Sequence, residues 1–184
     1  MTCTMIPDFD ENGNLPPGDL IKPTIHEFEE RFVTRADAES TRKYIFDRYN
    51  KYCDVLRSLD IASIQWVDGS YTTQKPNPRD IDIVIHFDGM KIHHDKVLQE
   101  RFGMLIDVNN MKHRFKCHPQ FVLVYPETMP DLHLYYIQRY NHWLKWFSKD
   151  REGNAKGLIE FDIRKPDFKS YDIVSGDASY AHGV

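Results

Sequence analysis

Two apolar runs, separated by a Gly-Ser turn and a polar loop, restrict the folds open to this chain. The first run covers residues 61–67 and the second covers residues 81–87, and both have the length and the β-branched content of strands. Gly69 and Ser70 follow the first run, and the polar residues 71–79, with two prolines, lead to the second. The pattern predicts two strands whose connection brings a tight turn beside the start of the second strand.

The rest of the chain alternates between helical and strand-like patterns. Apolar residues at helical steps predict helices, of which the one ending near Leu59 is the longest, and Thr24 with Glu27 predicts a capping box before a short helix. Pro119 indicates that the third strand is a sheet edge or contains a bulge. This order favours an α+β fold with a small mixed sheet flanked by helices. Beyond the two runs above, the predicted helices and strands cover residues 25–32, 45–59, 97–105, 115–125, 132–147 and 157–163.

Length and composition indicate one folded unit. The chain has 184 residues, of which 41% are hydrophobic and 28% charged, so residues 1–184 suffice for one buried core and are too apolar for an intrinsically disordered chain. Residues 1–22 are rich in Pro and Gly and predict an extended arm, which Ile6, Phe9 and Leu15 would hold against the body. Residues 165–184 predict a loose tail.

Composition also excludes several function classes. The three cysteines form no CxxC pair, which argues against a disulfide framework and against a thiolate zinc site. No apolar run is long enough for a membrane span and no signal peptide is visible, so we expect a cytoplasmic protein without membrane contact. The net charge of −4 argues against strong nonspecific DNA binding, although the basic residues 112–116 could meet a phosphate backbone.

Asp80 and Asp82 are the residues of the sequence with the clearest chemical role, as candidate metal ligands. Side chains alternate across a strand, so these two carboxylates share a face and repel each other unless a cation lies between them. Mg²⁺ or Mn²⁺ suits that position, because hard cations take one or two carboxylates together with phosphate oxygens. Gly69 permits close approach and Ser70 offers a hydroxyl to a phosphate. The alternative is a solvated strand edge beside an ordinary turn. The occurrence of the Gly-Ser turn and the Asp-x-Asp pair together at this spacing favours the functional interpretation over it.

The segment VDGS at residues 67–70, followed by DID at residues 80–82, resembles the signature of the polymerase-beta-like nucleotidyltransferase superfamily. Further segments are similar to a small bacterial branch of that superfamily with a minimal nucleotidyltransferase domain. These segments are IPDF at 6–9, LPPG at 15–18, the helix at 27–32 and KGLIEFDI at 156–163.

The resemblance implies transfer of a nucleoside monophosphate from a nucleoside triphosphate such as ATP to a hydroxyl of a protein, an RNA or a small molecule. Asp80 and Asp82 would be the catalytic metal ligands for Mg²⁺ or Mn²⁺, and Gly69 and Ser70 would hold the triphosphate. From the loop itself we add Lys75 and Arg79 as further phosphate contacts in the nucleotide-binding site. The alternative is that both side chains simply belong to a solvated loop.

Members of that superfamily bring a third carboxylate from a later strand, and this chain departs from the pattern. Residues 116–124 contain no Asp or Glu, and His118 or Gln120 stands where the acid would be. Asp107, Glu160 or Asp162 could replace it. The departure supports a second hypothesis: a catalytically degraded nucleotidyltransferase-like protein that binds a nucleotide or a partner in a bacterial toxin-antitoxin or phage-defence system.

Two aromatic residues of the predicted last helix lie off its apolar stripe. Tyr135 and Trp146 could stack on a base or contact a partner, whereas the other aromatic residues of that helix are expected in the core.

Overall fold

Four strands form one mixed sheet in this computed structural model, which describes residues 6–166 and residue 168. The strand order is β3-β2-β1-β4. β1 pairs antiparallel with both β2 and β4, and β2 pairs parallel with β3. The predicted edge position of the strand carrying Pro119 is confirmed, because β3 is an outer strand. The strand bounds are β1 Ala62–Asp68, β2 Ile81–Asp88, β3 Cys117–Val124 and β4 Ile159–Asp162.

Helices flank the sheet, which confirms the α+β class. α1 continues into a π-helical turn, Glu30–Thr34, and a single 3₁₀ turn, Gly69–Thr72, follows β1. The prediction had one helix for the region between β2 and β3, and the structure has three, because Asp95 and Asp107 each accept backbone N–H groups and start a new helix. The helix bounds are α1 Ile25–Glu29, α2 Arg42–Ser58, α3 Gly89–His94, α4 Lys96–Leu105, α5 Val108–Phe115 and α6 Pro130–Phe147.

The two faces of the sheet bury different partners. Ile81, Ile83 and Ile85 face the main core, which contains the apolar side of α2. On the opposite face Trp66 and Val84 pack against α6, which buries Phe147 there. Strand alternation therefore assigns the even-numbered residues of β2, including Asp82, to the face that α6 partly covers.

The N-terminal segment lies against β4. Ile6 and Leu15 are buried, the Gly157 amide donates to the Leu15 carbonyl over 2.7 Å, and Ile21 forms a parallel bridge with Ile159. Of the predicted tail, Phe168 is buried, and residue 167 and residues 169–184 lie outside the described residues. Within the described part of the chain, no helix is both long and apolar enough to cross a membrane.

Candidate functional site

Three polar residues lie side by side across the sheet where β2 begins. Asp68, the last residue of β1, pairs with Asp82 of β2, and Asp82 in turn pairs with His118 of β3. Residues paired in this way project to one face with their Cβ atoms about 5 Å apart. We call Asp68, Asp82 and His118 the polar row. Of its members, Asp82 was a predicted metal ligand, and His118 had been placed where the third acid was expected.

The Gly-Ser turn is in direct contact with the polar row. Gly69 has a φ of +80°, and a Cβ added there would lie 1.9 Å from Oδ2 of Asp82. Any side chain at this position would therefore collide with the carboxylate and strain the backbone. The other carboxylate oxygen, Oδ1, is 2.8 Å from Nδ1 of His118. Both side chains are about one-third exposed, so this end of the row is open to solvent.

A buried ion pair lies beneath the turn. Nζ of Lys156 is 2.5 Å from Oδ1 of Asp68, and the two side chains are only 5% and 8% exposed. The same ammonium is 3.5 Å from the carbonyl oxygen of Gly69. Burial raises the pKa of the Asp68 carboxyl to about 7, while Lys156 and then the Gly69 amide act in the opposite direction. The pair therefore ties the segment before β4 to the start of the turn.

Asp80 is held by a different neighbour. It precedes β2, and its Oδ2 lies 3.0 Å from Nζ of Lys112 in α5. Each of the three acids at this place thus has its own nitrogen partner: Asp68 has Lys156, Asp80 has Lys112, and Asp82 has His118. The two lysines offset part of the repulsion between the carboxylates.

The loop after the turn is fixed from behind by α2. The buried guanidinium of Arg42 donates to the carbonyl oxygens of Tyr71, Thr73 and Lys75 over 2.6–2.7 Å. In the part of the chain that the structure describes, the Ser70 hydroxyl makes no hydrogen bond, and neither does the ammonium of Lys75 nor the guanidinium of Arg79. Lys75 and Arg79 are exposed, and Ser70 is half-buried.

Asp80 and Asp82 would be the two carboxylate ligands of a divalent cation at this place. Among the described residues, no group of three or more His, Cys, Asp or Glu side chains is arranged to hold a metal ion. Asp80 and Asp82 nevertheless lie at one strand start, and their side chains are 25% and 30% exposed. A Mg²⁺ ion commonly takes one or two protein carboxylates and completes its shell with phosphate and water. Asp80 and Asp82 would hold such an ion.

The other three carboxylates considered from the sequence make different contacts. Asp107 caps α5 by accepting from the Asn110 amide. Glu160 accepts from the indole N–H of Trp66 over 3.0 Å and pairs with Lys22. Asp162 pairs with Arg164 over 2.8 Å. It is His118 that stands opposite Asp82 on β3.

Sequence reasoning missed Asp68 and Lys156, and it named Lys112 only within the basic residues 112–116 and not as the partner of Asp80. Asp68 could have been found, because it directly precedes Gly69 and shares the strand alternation of Trp66. Lys112 and Lys156 carry no local signal: they reach Asp80 and Asp68 only through packing between segments far apart in the chain.

Comparison with known proteins adds one result. The profile of a family described as a family of unknown function, DUF6932, matches residues 7–162. No curated protein and no solved structure gives a significant match to the chain.

Proposed function

The chain belongs to the DUF6932 family, and we propose that it transfers a nucleoside monophosphate from a nucleoside triphosphate to an acceptor hydroxyl, with Mg²⁺ or Mn²⁺ as cofactor. The proposal includes a polymerase-beta-like nucleotidyltransferase fold, of which the four-stranded mixed sheet would be the core. The observation that carries it is the contact of Gly69 with the carboxylate of Asp82. A turn suited to a phosphate thereby abuts an acid suited to a metal.

Each residue then has a defined task. Asp80 and Asp82 would hold the metal, which would supply positive charge against the triphosphate. The free hydroxyl of Ser70 would donate to a phosphate oxygen, and the lack of a side chain at Gly69 leaves room for the Asp82 carboxylate beside the turn. Lys75 and Arg79 extend from the loop that Arg42 fixes and are available as further phosphate contacts.

A second candidate function is favoured by the side chain of His118. Where the resemblance calls for a third carboxylate, an imidazole pairs with Asp82, and protein cations already neutralise Asp68 and Asp80. Such a site would bind a nucleotide or a protein partner without turnover, as a component of a bacterial toxin-antitoxin or phage-defence system.

A turnover assay separates the two functions. Purified protein would be incubated with each of the four α-labelled nucleoside triphosphates, Mg²⁺ or Mn²⁺, and a mixture of protein, RNA and small-molecule acceptors. Transfer predicts label on an acceptor, with pyrophosphate released. Asp82→Asn should abolish labelling, since it removes a metal ligand. Asp47→Asn, which alters an exposed carboxylate paired with Lys43 on α2, should leave it unchanged.

Absence of label with every nucleotide, together with nucleotide binding that needs no metal, would rule out transfer and leave the binding function.

A further inference from the structure

A positively charged surface adjoins Asp80, where α2, α5 and the start of β2 meet. Lys112 of α5 pairs with Asp80 over 3.0 Å, and the carbonyl of Lys116 accepts from the Ile81 amide. On the α2 side, the guanidinium of Arg48 donates to the carbonyl oxygen of Arg114, near the C-terminal end of α5, over 3.4 Å. We call this the α2–α5 basic surface. Its cations are Arg48 of α2, Lys112 and Arg114 of α5, Lys116 directly after α5, and Arg79, which directly precedes Asp80.

This surface keeps a positive charge although the chain as a whole carries −4. Among the described residues, Lys112 is the only one of its five cations that forms an ion pair with a carboxylate. The acids of α2 and α5 have other contacts. Asp47 pairs with Lys43, Asp54 lies 3.9 Å from Arg57, and Asp107 caps α5. The other four cations of the surface are therefore available to a polyanion.

An exposed aromatic ring adjoins the same cations. Tyr44 of α2 is 51% exposed, and the guanidinium carbon of Arg48 lies 5.4 Å from its ring centre. A base can stack on a tyrosine of this kind, and an arginine beside it strengthens the stack. The surface offers no apolar wedge to a lipid bilayer, because the other exposed large hydrophobic residues of the described chain lie on α4 and α6.

We propose that the α2–α5 basic surface binds a single-stranded nucleic acid, with phosphates on its cations and a base on Tyr44. Binding itself is independent of catalysis. The role of the bound strand in the transfer reaction rests on the proposed function. A strand bound here would end beside Asp80, and its terminal hydroxyl would be the acceptor. A single strand fits better than a duplex, because only unpaired bases can stack on a side chain.

Fluorescence anisotropy with a labelled oligoadenylate tests the proposal, in the absence of nucleotide and metal. Arg79→Gln combined with Lys116→Asn should weaken binding about tenfold at low salt and reduce the slope of log affinity against log salt by about 0.7 for each phosphate that is no longer neutralised. Asn is chosen because residue 116 has a φ of +56°, which Asn tolerates. Lys145→Gln combined with Lys149→Gln, at the end of α6, is the charge-matched control.

Tyr44→Ala should weaken the same binding at least about fivefold through loss of stacking. Its control is Tyr135→Ala, which removes a ring of similar exposure, 47%, from α6. Equal effects of the test and control variants would overturn the proposal. It would also be overturned if heparin bound as tightly as the oligoadenylate and if Tyr44→Ala left the heparin affinity unchanged. Preferential binding to anionic vesicles would overturn it as well.

The same oligonucleotide titration on the Asp82→Asn protein tests binding to this surface independently of the transfer reaction. Retained binding there supports the surface even if no nucleotide is ever transferred. Transfer to small acceptors without oligonucleotide binding would refute the surface and leave the transfer intact.

Discussion

Single residues at the strand ends determine what the candidate site can bind. Asp82 is the central residue, because it contacts Gly69 on one side and His118 on the other. Its signal is local in the sequence, since both the turn and the Asp-x-Asp pair belong to one short segment. The partners of the other acids, Lys112 and Lys156, come from segments whose positions only the fold defines, and no local pattern could predict them.

We expect Gly69→Ala to disrupt the turn. A methyl group there meets Oδ2 of Asp82 at 1.9 Å, and alanine is strained at a φ of +80°. The free energy of unfolding should fall by more than about 1 kcal/mol, and nucleotide binding should be lost. Gly103→Ala, in α4 with nothing within 4 Å of the added methyl, is the control and should be neutral or slightly stabilising. Urea denaturation and nucleotide titration measure both effects, and equal behaviour of the two variants would contradict the contact.

The buried pair of Asp68 and Lys156 predicts a stability loss that depends on pH. Lys156→Met leaves the carboxylate buried without its cation, which costs about 3–5 kcal/mol. The folded-state pKa of Asp68, about 7, lies above its ordinary value, so its ionisation opposes folding and stability falls as the pH rises through about 7. Removing the ammonium should raise that pKa further.

The loss caused by Lys156→Met should therefore be larger at pH 8 than at pH 5, as measured by urea denaturation. Adding Asp68→Asn should restore most of the stability at pH 8. A loss that is the same at both pH values would mean that Asp68 does not ionise in this range.

His86 should destabilise the fold in acid. It is buried between the rings of Trp66 and Tyr140, and burial lowers its pKa to about 4 while Glu160 raises it slightly. A depressed pKa means that stability is fully present above about 6.5 and falls toward pH 4, by up to about 3 kcal/mol. Between pH 4 and 6.5 the contribution of Asp68 to the free energy of unfolding changes with pH in the opposite direction. The two contributions therefore partly cancel in the wild-type protein.

Thermal unfolding of His86→Phe should expose the contribution of Asp68, with stability falling as the pH rises from 4 to 7. A profile identical to the wild type would show that the pKa of His86 is the same in the folded and the unfolded chain.

At the scale of elements, hydrophobic periodicity predicted the structure wherever it was long enough. α2 and α6 have uninterrupted apolar stripes, and both were found close to their predicted bounds. The region between β2 and β3 was not predicted correctly, because α3, α4 and α5 are short and their boundaries depend on the capping carboxylates of Asp95 and Asp107. A short segment contains many polar residues that resemble helix caps, so the sequence alone does not show which of them begins a helix.

The loop after the Gly-Ser turn depends on α2 for its position, which leads to a prediction for Arg42. Arg42→Met removes the donors to three loop carbonyls, so the free energy of unfolding should fall by about 2–4 kcal/mol and residues 73–77 should exchange amide hydrogens faster. Arg151→Met, at an exposed arginine, is the control. Unchanged exchange in this loop would show that α2 does not hold it.

At the scale of the whole molecule, the site is assembled from widely separated parts of the chain. β1, β2 and β3 supply the polar row, α5 supplies Lys112, and the segment before β4 supplies Lys156. That segment is in turn held by the N-terminal arm, because Gly157 donates to Leu15. The fold class followed from the order of elements alone, whereas these long-range contacts required the structure.

A titration of Mn²⁺ into the protein, with and without a nucleoside triphosphate and followed by electron paramagnetic resonance, decides whether Gly69, Asp80 and Asp82 form a metal–nucleotide site. We predict that the nucleotide promotes Mn²⁺ binding, that Asp82→Asn abolishes this binding, and that Asp47→Asn leaves it unchanged. Nucleotide binding that ignores both the metal and the Asp82→Asn substitution would contradict the existence of such a site.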